Sequence, residues 1–312
     1  MPTSTPDLDL DLGYLPEGEW VARLDALGDD HGFFERLGER HLSLFVESGP
    51  SLLVSFDTVS GSRRAPNGLP RALDQVTRNN WSVLTVLSRG ETWYRDPAVW
   101  RHFDRLTDDG FFEDFRAVLF TGAGPGGYAA AAYSVAAPGA RVMAMRPYAT
   151  LDPAIAGWDR RHLGQRRLDW SSRYGFAPGM IDAARQVWVV HDPLHVPDAM
   201  HAALFHRPNV TLLRCRMTGM RVDAMLEGIH ATPRLLDLAM DGSLDARGFA
   251  RLWRGRRRHG PYLRNLLKRL ETMGRDDLAL RLCRFGLGTV DRPLYARKLA
   301  ELGGAPARRA AG

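Results

Sequence analysis

Cysteine is scarce in this chain of 312 residues, which contains only Cys215 and Cys283. The two lie far apart in the sequence and belong to no C-x-x-C pair. A disulfide framework and a cysteine-ligated zinc or iron–sulfur site are therefore not indicated. This cysteine usage fits a reducing compartment, and we expect a cytoplasmic protein.

Lysine is just as rare, since it occurs only at Lys268 and Lys298. The net charge of +6 therefore comes almost entirely from arginine. Such a bias more often reflects the coding composition of a genome than a binding role. The charge of the whole chain is therefore weak evidence for nucleic acid, which we do not expect as a partner.

Long apolar runs are also missing. No uncharged apolar segment approaches the roughly 18 residues that cross a bilayer, and the acidic N-terminus lacks the basic head of a secretory signal. We therefore expect no membrane span.

Short runs of β-branched and apolar residues are plentiful. Because they are continuous rather than alternating in polarity, they are typical of strands buried on both faces. Helix-like stretches separate most of them, which predicts an α/β fold with a doubly wound, mostly parallel sheet. The predicted strands are Ser51–Phe56, Ser82–Leu87, Ala117–Thr121, Arg141–Met145, Val187–His191 and Val210–Cys215.

This pattern divides the chain into three parts. Residues 1–50 are expected to form a loosely ordered N-terminal arm, residues 51–218 the α/β domain, and residues 219–312 a helical, basic C-terminal region. The basic residues around Trp253 and Tyr262 suggest an anionic partner such as nucleic acid, lipid headgroups or a polyanionic glycan, or a protein partner, but a solvated helical face is the favoured explanation.

The segment "VLFTGAGPGGYAAAAYS" carries two overlapping motifs. Gly122, Gly124 and Gly127 form G-x-G-x-x-G, which predicts a dinucleotide site for FAD or NADP where a strand runs into a helix. The acid that should follow the next strand is replaced by Met145 and Arg146, although an arginine suits the phosphate of NADP. Two strand–helix units precede the glycines, which weakens this alternative, an oxidoreductase.

The second motif is a nucleophile elbow of the G-x-S-x-G type, which follows the fifth strand in its fold. If Ala117–Thr121 is that fifth strand, the two predicted strands before it are strands three and four of the fold. The three predicted strands after it are then strands six, seven and eight. "FTGAGPGGYAAAAYS", followed by "PGARVMAMRPYATLDP", resembles a bacterial branch of the α/β-hydrolase superfamily found among cell-surface polysaccharide and accessory-secretion proteins. The resemblance covers roughly residues 51–216 and implies an α/β-hydrolase-type sheet with a helical C-terminal region.

Departures from the resembled pattern predict lost catalysis. Gly124 stands where the nucleophilic serine belongs, and Met220 stands where the family places its histidine. Of the triad only an acid remains, either Asp192 or Asp198. We therefore expect a degenerate, non-catalytic protein that has a binding or accessory role and holds a small molecule or a glycan and no cofactor. The resemblance implies that this role is linked to cell-surface polysaccharide.

The expected ligand cleft lies around the elbow and the remnant acid. It comprises Gly122, Gly124, Gly126, Gly127, Tyr128, Arg146, Asp192, His195 and Asp198. The histidines near Asp192 match no metalloenzyme spacing, so no metal is expected. The arginines of the insert between strands six and seven either bind an anion or pair with Asp159 and Asp169.

One further activity, phosphoadenosine phosphosulfate reduction, is a remote alternative. It calls for an S-G-G-x-D-S phosphate loop and a C-terminal E-C-G-x-H cysteine. Neither occurs in this sequence, so the motifs do not support it.

Overall fold

Eight strands form one sheet in the computed structural model, which describes residues 6, 8, 10–289 and 292–303. The strands are β1 Gly32–Leu37, β2 His41–Val46, β3 Ser51–Thr58, β4 Ser82–Ser88, β5 Ala117–Ala123, β6 Arg141–Met145, β7 Gln186–His191 and β8 Val210–Arg214. Their spatial order is β1-β2-β4-β3-β5-β6-β7-β8. β2 runs antiparallel to both of its neighbours, and every other neighbouring pair is parallel. The predicted mostly parallel sheet of α/β-hydrolase type is confirmed, and each of the six predicted strands takes its expected place.

Helices cover both faces of this sheet. They are α1 Glu17–His31, α2 Val59–Arg63, α3 Asp74–Asn79, α4 Pro97–Asp108, α5 Pro125–Tyr133, α6 Pro153–Ala156, α7 Val196–Leu204, α8 Val222–Gly228, α9 Thr232–Met240, α10 Ala246–Trp253, α11 Gly260–Thr272, α12 Asp276–Thr289 and α13 Arg292–Glu301. The predicted helical C-terminal region is thus present. No helix within the described residues is long and apolar enough to cross a bilayer.

The N-terminal fifty residues are not a loose arm where the structure describes them. α1 packs on the sheet, and β1 and β2 form a hairpin that pairs in full register with β4. Every residue of β2 is buried. The expectation of a loose arm was wrong because short strands next to a helix give a weak sequence signal. The tight turn between β1 and β2 is possible because Gly38 has a positive φ of +65°. Residues 1–5, 7 and 9 of this segment lie outside the described residues.

Two hydrophobic cores, one on each face, hold the helices against the sheet. α4, α5 and α7 pack on one face, where Phe103, Tyr133 and Ala202 are buried. α1 and the C-terminal helices pack on the other, where Trp20, Trp188 and Trp253 share a single cluster. The C-terminal region therefore shares a core with the sheet.

The long insert between β6 and β7 contains little regular structure. Apart from the single turn of α6 and short 3₁₀ turns, its backbone is irregular. It lies over the core of the α5 face through Trp170 and Tyr174, both buried.

Candidate functional site

The turn between β5 and α5 has the sharp geometry of an elbow. Gly124 has φ of 57° and ψ of −120°, a backbone conformation that residues with a side chain rarely adopt. Its N–H donates to the carbonyl oxygen of Met145 at 2.9 Å, and its own carbonyl accepts from the N–H of Tyr128 at 3.0 Å. The chain therefore keeps the strained strand-to-helix turn even though no nucleophile stands on it.

Glycines allow the turn to pack tightly against neighbouring backbone. A Cβ on Gly122 would stand 2.3 Å from the carbonyl oxygen of Gly126, and one on Gly126 would stand 2.5 Å from that of Phe56. A Cβ on Gly127 would come within 2.8 Å of the carbonyl oxygen of Met145. These three glycines are therefore required by the packing of the elbow itself.

Pro125 follows the turn and begins α5. In acyl-transfer elbows, the backbone N–H of the residue after the nucleophile helps to stabilise the oxyanion. Proline has no backbone N–H. The elbow thus lacks an oxyanion donor as well as a nucleophile.

A guanidinium group lies over Gly124. A Cβ built on this glycine would stand 3.2 Å from Nη2 of Arg146, so the arginine occupies the space that a nucleophilic side chain would enter. The Arg146 side chain is only 14% exposed. Its Nε is buried and has no hydrogen-bond partner among the described residues.

The backbone of Arg146 is strained into this position. Its φ is +48°, which is uncommon for a residue other than glycine. Its N–H donates to the carbonyl oxygen of Val190 at 2.7 Å, which fixes the residue just beyond the end of β6. Strain of this kind is found where the surrounding structure over-determines a functional residue.

A cavity of about 750 Å³ opens beside the elbow, at the carboxyl ends of β3, β4 and β5. This is the end of an open parallel sheet where ligands bind. Its wall includes the hydroxyls of Thr58, Ser60 and Thr92. The charged and titratable side chains that line it are Asp57, Arg71, Asp74, Glu91, Arg146, Asp223, Glu227 and His230.

Burial changes the acidity of two of these carboxyls. Asp57 lies at the end of β3 and accepts from the N–H of Thr58 at 2.7 Å, but burial dominates and raises its pKa above the ordinary value. Burial also raises the pKa of Asp74. The charge of Arg71 opposes this shift at both carboxyls, and Arg64 opposes it at Asp57.

One helix supplies partners to both arginines of the cavity. Asp223 and Glu227 lie four residues apart on α8 and therefore on one helical face. Asp223 Oδ1 is 3.8 Å from Nε of Arg146, and Glu227 forms an ion pair with Arg71. Sequence analysis missed both acids, because nothing in the C-terminal region indicated that a helix returns to the elbow. Asp57 was detectable, since it directly follows a buried strand.

Only some of the predicted cleft residues line this cavity. Gly122, Gly126 and Arg146 do, and Gly124 lies beneath the Arg146 guanidinium. Tyr128 is fully buried, and its hydroxyl donates to the carbonyl oxygen of Tyr174. Gly127, Tyr128, Asp192, His195 and Asp198 are not part of the cavity wall.

Asp192 connects the loops that follow β7 and β8. Its carboxylate accepts from the N–H of Leu194 at 2.9 Å and from the N–H of Gly219 at 2.8 Å. Met220, the next residue, is 53% exposed. Asp192 therefore holds in place the segment that carries Met220.

Asp198 belongs to a separate buried network. Arg161 donates to Asp198 at 2.6 Å and forms a bidentate pair with Asp159 at 2.9 and 2.7 Å. The N–H of Ala149 donates to Nδ1 of His201, so the Nε2–H of His201 donates to Asp159 at 2.9 Å. Of the two explanations for the insert's arginines, pairing with Asp159 is confirmed for Arg161.

Asp159 and His201 have shifted pKa values. Burial alone would raise the pKa of Asp159, but hydrogen bonds from His201 and Arg161 outweigh burial and hold it well below its usual range. Burial lowers the pKa of His201.

The other members of the histidine-rich segment do not assemble a metal site. His195 Nδ1 lies 3.0 Å from Asp198 Oδ2. In the insert, Asp169 accepts from the backbone N–H groups of Ser171 and Ser172 instead of pairing with an arginine. Within the described ranges, no group of three or more histidine, cysteine or acidic side chains is arranged to hold a metal ion.

The basic C-terminal surface is exposed. Arg254, Arg257 and Arg258 lie on the 3₁₀ turn Arg254–Arg258 and form no ion pair in the part of the chain that the structure describes. Arg256 instead packs over Trp253 and Tyr262, at 5.1 and 5.8 Å from their ring centres. A protein partner at this surface stays a prediction.

Comparisons with known proteins give structural similarity only. No family model and no curated protein matches the chain. Est1E from Butyrivibrio proteoclasticus is similar with 14% identity and a TM-score of 0.43, over 65% of this chain and 96% of that one. Capsule O-acetyltransferase of Neisseria meningitidis serogroup A gives 13% identity and a TM-score of 0.42, over 66% and 93%. A Glycosylation Associate Protein complex from Streptococcus agalactiae gives 11% and 0.42, over 65% and 45%. The fold assignment rests on the order and direction of the strands.

The Asp159 network yields a stability prediction. Asp159→Asn should lower the free energy of unfolding at pH 7 by about 3 kcal/mol, because it leaves the partly buried guanidinium of Arg161 without its bidentate partner. The pKa of Asp159 is lowered by folding, so its stabilising effect is present above the unfolded pKa of about 4 and is lost as the pH falls below it. Urea unfolding at pH 7 and pH 3 measures both effects.

The control for that experiment is Asp169→Asn, which removes the charge of an exposed carboxylate in the same insert. It should cost much less than Asp159→Asn at pH 7. Equal losses for the two variants, or a loss for Asp159→Asn that does not shrink at pH 3, would contradict the assignment.

Proposed function

We propose that this chain is a non-hydrolytic protein of α/β-hydrolase fold, whose cavity beside the elbow binds a small ligand through an anionic group. The observation that supports this most directly is the guanidinium of Arg146 over Gly124, in the space of the missing nucleophile. A cation at this point suits binding of an anion. It does not suit attack on an ester.

Three elements of acyl transfer are missing together. Gly124 supplies no nucleophile, Pro125 supplies no N–H to an oxyanion, and the exposed Met220 cannot act as a base. Asp192 is the better candidate for the remnant acid, because it bonds the segment that carries Met220 while Asp198 bonds Arg161. We infer that the elbow and the acid of the triad are retained, whereas the nucleophile and the base are lost.

The elbow provides a positive potential for a ligand. The first turn of α5 leaves backbone N–H groups without helical partners, and its dipole favours negative charge close to Arg146. Farther along the wall, Asp57 and Asp74 offer acceptors for ligand hydroxyls. An acidic sugar combines both features, and it agrees with the polysaccharide role that the resemblance of the elbow implies.

Binding of an acidic sugar can be measured by calorimetry with glucuronate. We expect glucuronate to bind, glucose to bind much more weakly, and Arg146→Ala to weaken glucuronate binding by at least about tenfold, since a charge-assisted bidentate contact is lost. Arg160→Ala is the matched control, because it removes the same charge from an exposed site in the insert. If a folded protein binds glucuronate equally well with and without Arg146, the proposed site is wrong.

A double variant that introduces the missing serine and histidine offers a second test of the proposal. The double variant Gly124→Ser with Met220→His should show no hydrolysis of p-nitrophenyl acetate above the parent protein and no acetylated mass. Pro125 still supplies no N–H, and the new side chain meets Arg146. Turnover of this ester by the double variant would show that the oxyanion is stabilised in another way.

The dinucleotide interpretation gives a different expectation. Gly122, Gly126 and Gly127 are needed for backbone packing whether or not a nucleotide binds. Under our proposal, the purified protein releases neither flavin nor nicotinamide on denaturation. An absorption spectrum and an intact-mass measurement before and after denaturation test this, and released FAD or NADP would favour the oxidoreductase.

A further inference from the structure

The carboxylate of Asp223 occupies the solvent side of Arg146. Its Oδ1 is 3.8 Å from Nε, close enough for an ion pair, and the pair makes no hydrogen bond by the usual geometric limits. The Arg146 side chain is 14% exposed and that of Asp223 is 45% exposed. The cation is thus fixed in the wall, while its counter-ion is half in water.

The side chain of Asp223 is half-exposed, although its helix is anchored on the core. Val222, Met225 and Leu226 are buried against the core and anchor α8 on the sheet. The side chain of Asp223 needs only a rotation to leave Arg146 and enter solvent. A partly exposed ion pair of this kind contributes little free energy, so the rotation is cheap.

We propose that Asp223 is an internal competitor of the ligand, so that the ligand's anionic group displaces the Asp223 carboxylate from Arg146. This inference rests on the proposed function, because it takes Arg146 as the anchor. The anionic group of the ligand would accept a hydrogen bond from the buried Nε of Arg146, which has no hydrogen-bond partner among the described residues while Asp223 lies beside it. Asp223 thereby sets the affinity of the site and keeps the guanidinium neutralised when no ligand is bound.

The other ion pair of α8 has a different setting. Arg71 is faced by Glu227, and it also acts on the carboxyls of Asp57 and Asp74. An incoming anion at Arg71 would meet the carboxyls of Asp57 and Asp74. Asp223 is the carboxylate paired with Arg146 within the described residues, and its charge also acts on Asp57. Glu227 is therefore not a competitor for the same anion.

This contrast supplies a matched pair of variants. Asp223→Asn and Glu227→Gln each remove one negative charge from the same helix and the same cavity wall, at side chains that are 45% and 46% exposed. Glucuronate is the probe, with phosphate as a second anion without hydroxyl-bearing carbons. We expect Asp223→Asn to tighten glucuronate binding by about fivefold, as loss of a partly exposed ion pair allows, and Glu227→Gln to leave it nearly unchanged.

Arg146→Ala in the Asp223→Asn background separates this inference from the proposed function. If Arg146→Ala abolishes binding but Asp223→Asn fails to tighten it, the competitor is overturned and the anion site stands. If both acid variants tighten binding equally, general charge explains the result and the competitor is again overturned. If Arg146→Ala weakens binding in neither background, or no probe binds even to Asp223→Asn, the anion site itself fails. Binding of phosphate and glucuronate with the same response to Asp223→Asn would mean that the anionic group alone is sensed.

Discussion

The turn at Gly124 is the constraint on which the candidate site depends. β5 can pass into α5 there only because the backbone has a positive φ and because adjacent glycines let three backbone segments meet. Gly122 approaches Gly126, and Gly126 approaches the end of β3. This packing places the start of a buried helix at the carboxyl ends of the central strands. The cavity beside it is a consequence of that arrangement.

Electrostatics at the elbow differ from those of an acyl-transfer site. An acyl-transfer site requires a nucleophile, a base and N–H donors that are aimed at the oxyanion in a place from which water is excluded. Here the guanidinium of Arg146 lies over Gly124, and the carboxylate of Asp223 lies beside that guanidinium. Pro125 follows the glycine. Charges of both signs converge at one end of the sheet, where Arg146 is mostly buried and its partner Asp223 is half-exposed. Such a wall is suited to holding a polar ligand in one orientation.

The insert between β6 and β7 is held by buried polar contacts as well as by the apolar core. Arg161 joins Asp159 to Asp198, and His201 completes the network in its neutral form. These bonds fix an insert with almost no regular structure against α7. Sequence analysis assigned Asp198 to the ligand cleft, whereas in the structure its carboxylate accepts from Arg161. Buried charges that are paired with several hydrogen bonds serve structure first.

Local sequence determined the sheet and the elbow. Continuous apolar runs identified β3 to β8, because strands that are buried on both faces consist mainly of apolar residues. The glycines of residues 122–127 identified the strand-to-helix turn, because a positive φ favours glycine. Only the tertiary structure decided which charges meet. Asp223 is 77 positions from Arg146 in the chain, and its approach depends on how α8 returns across the sheet. The hairpin of β1 and β2 was likewise hidden, since pairing between strands is a property of the sheet and not of either short segment.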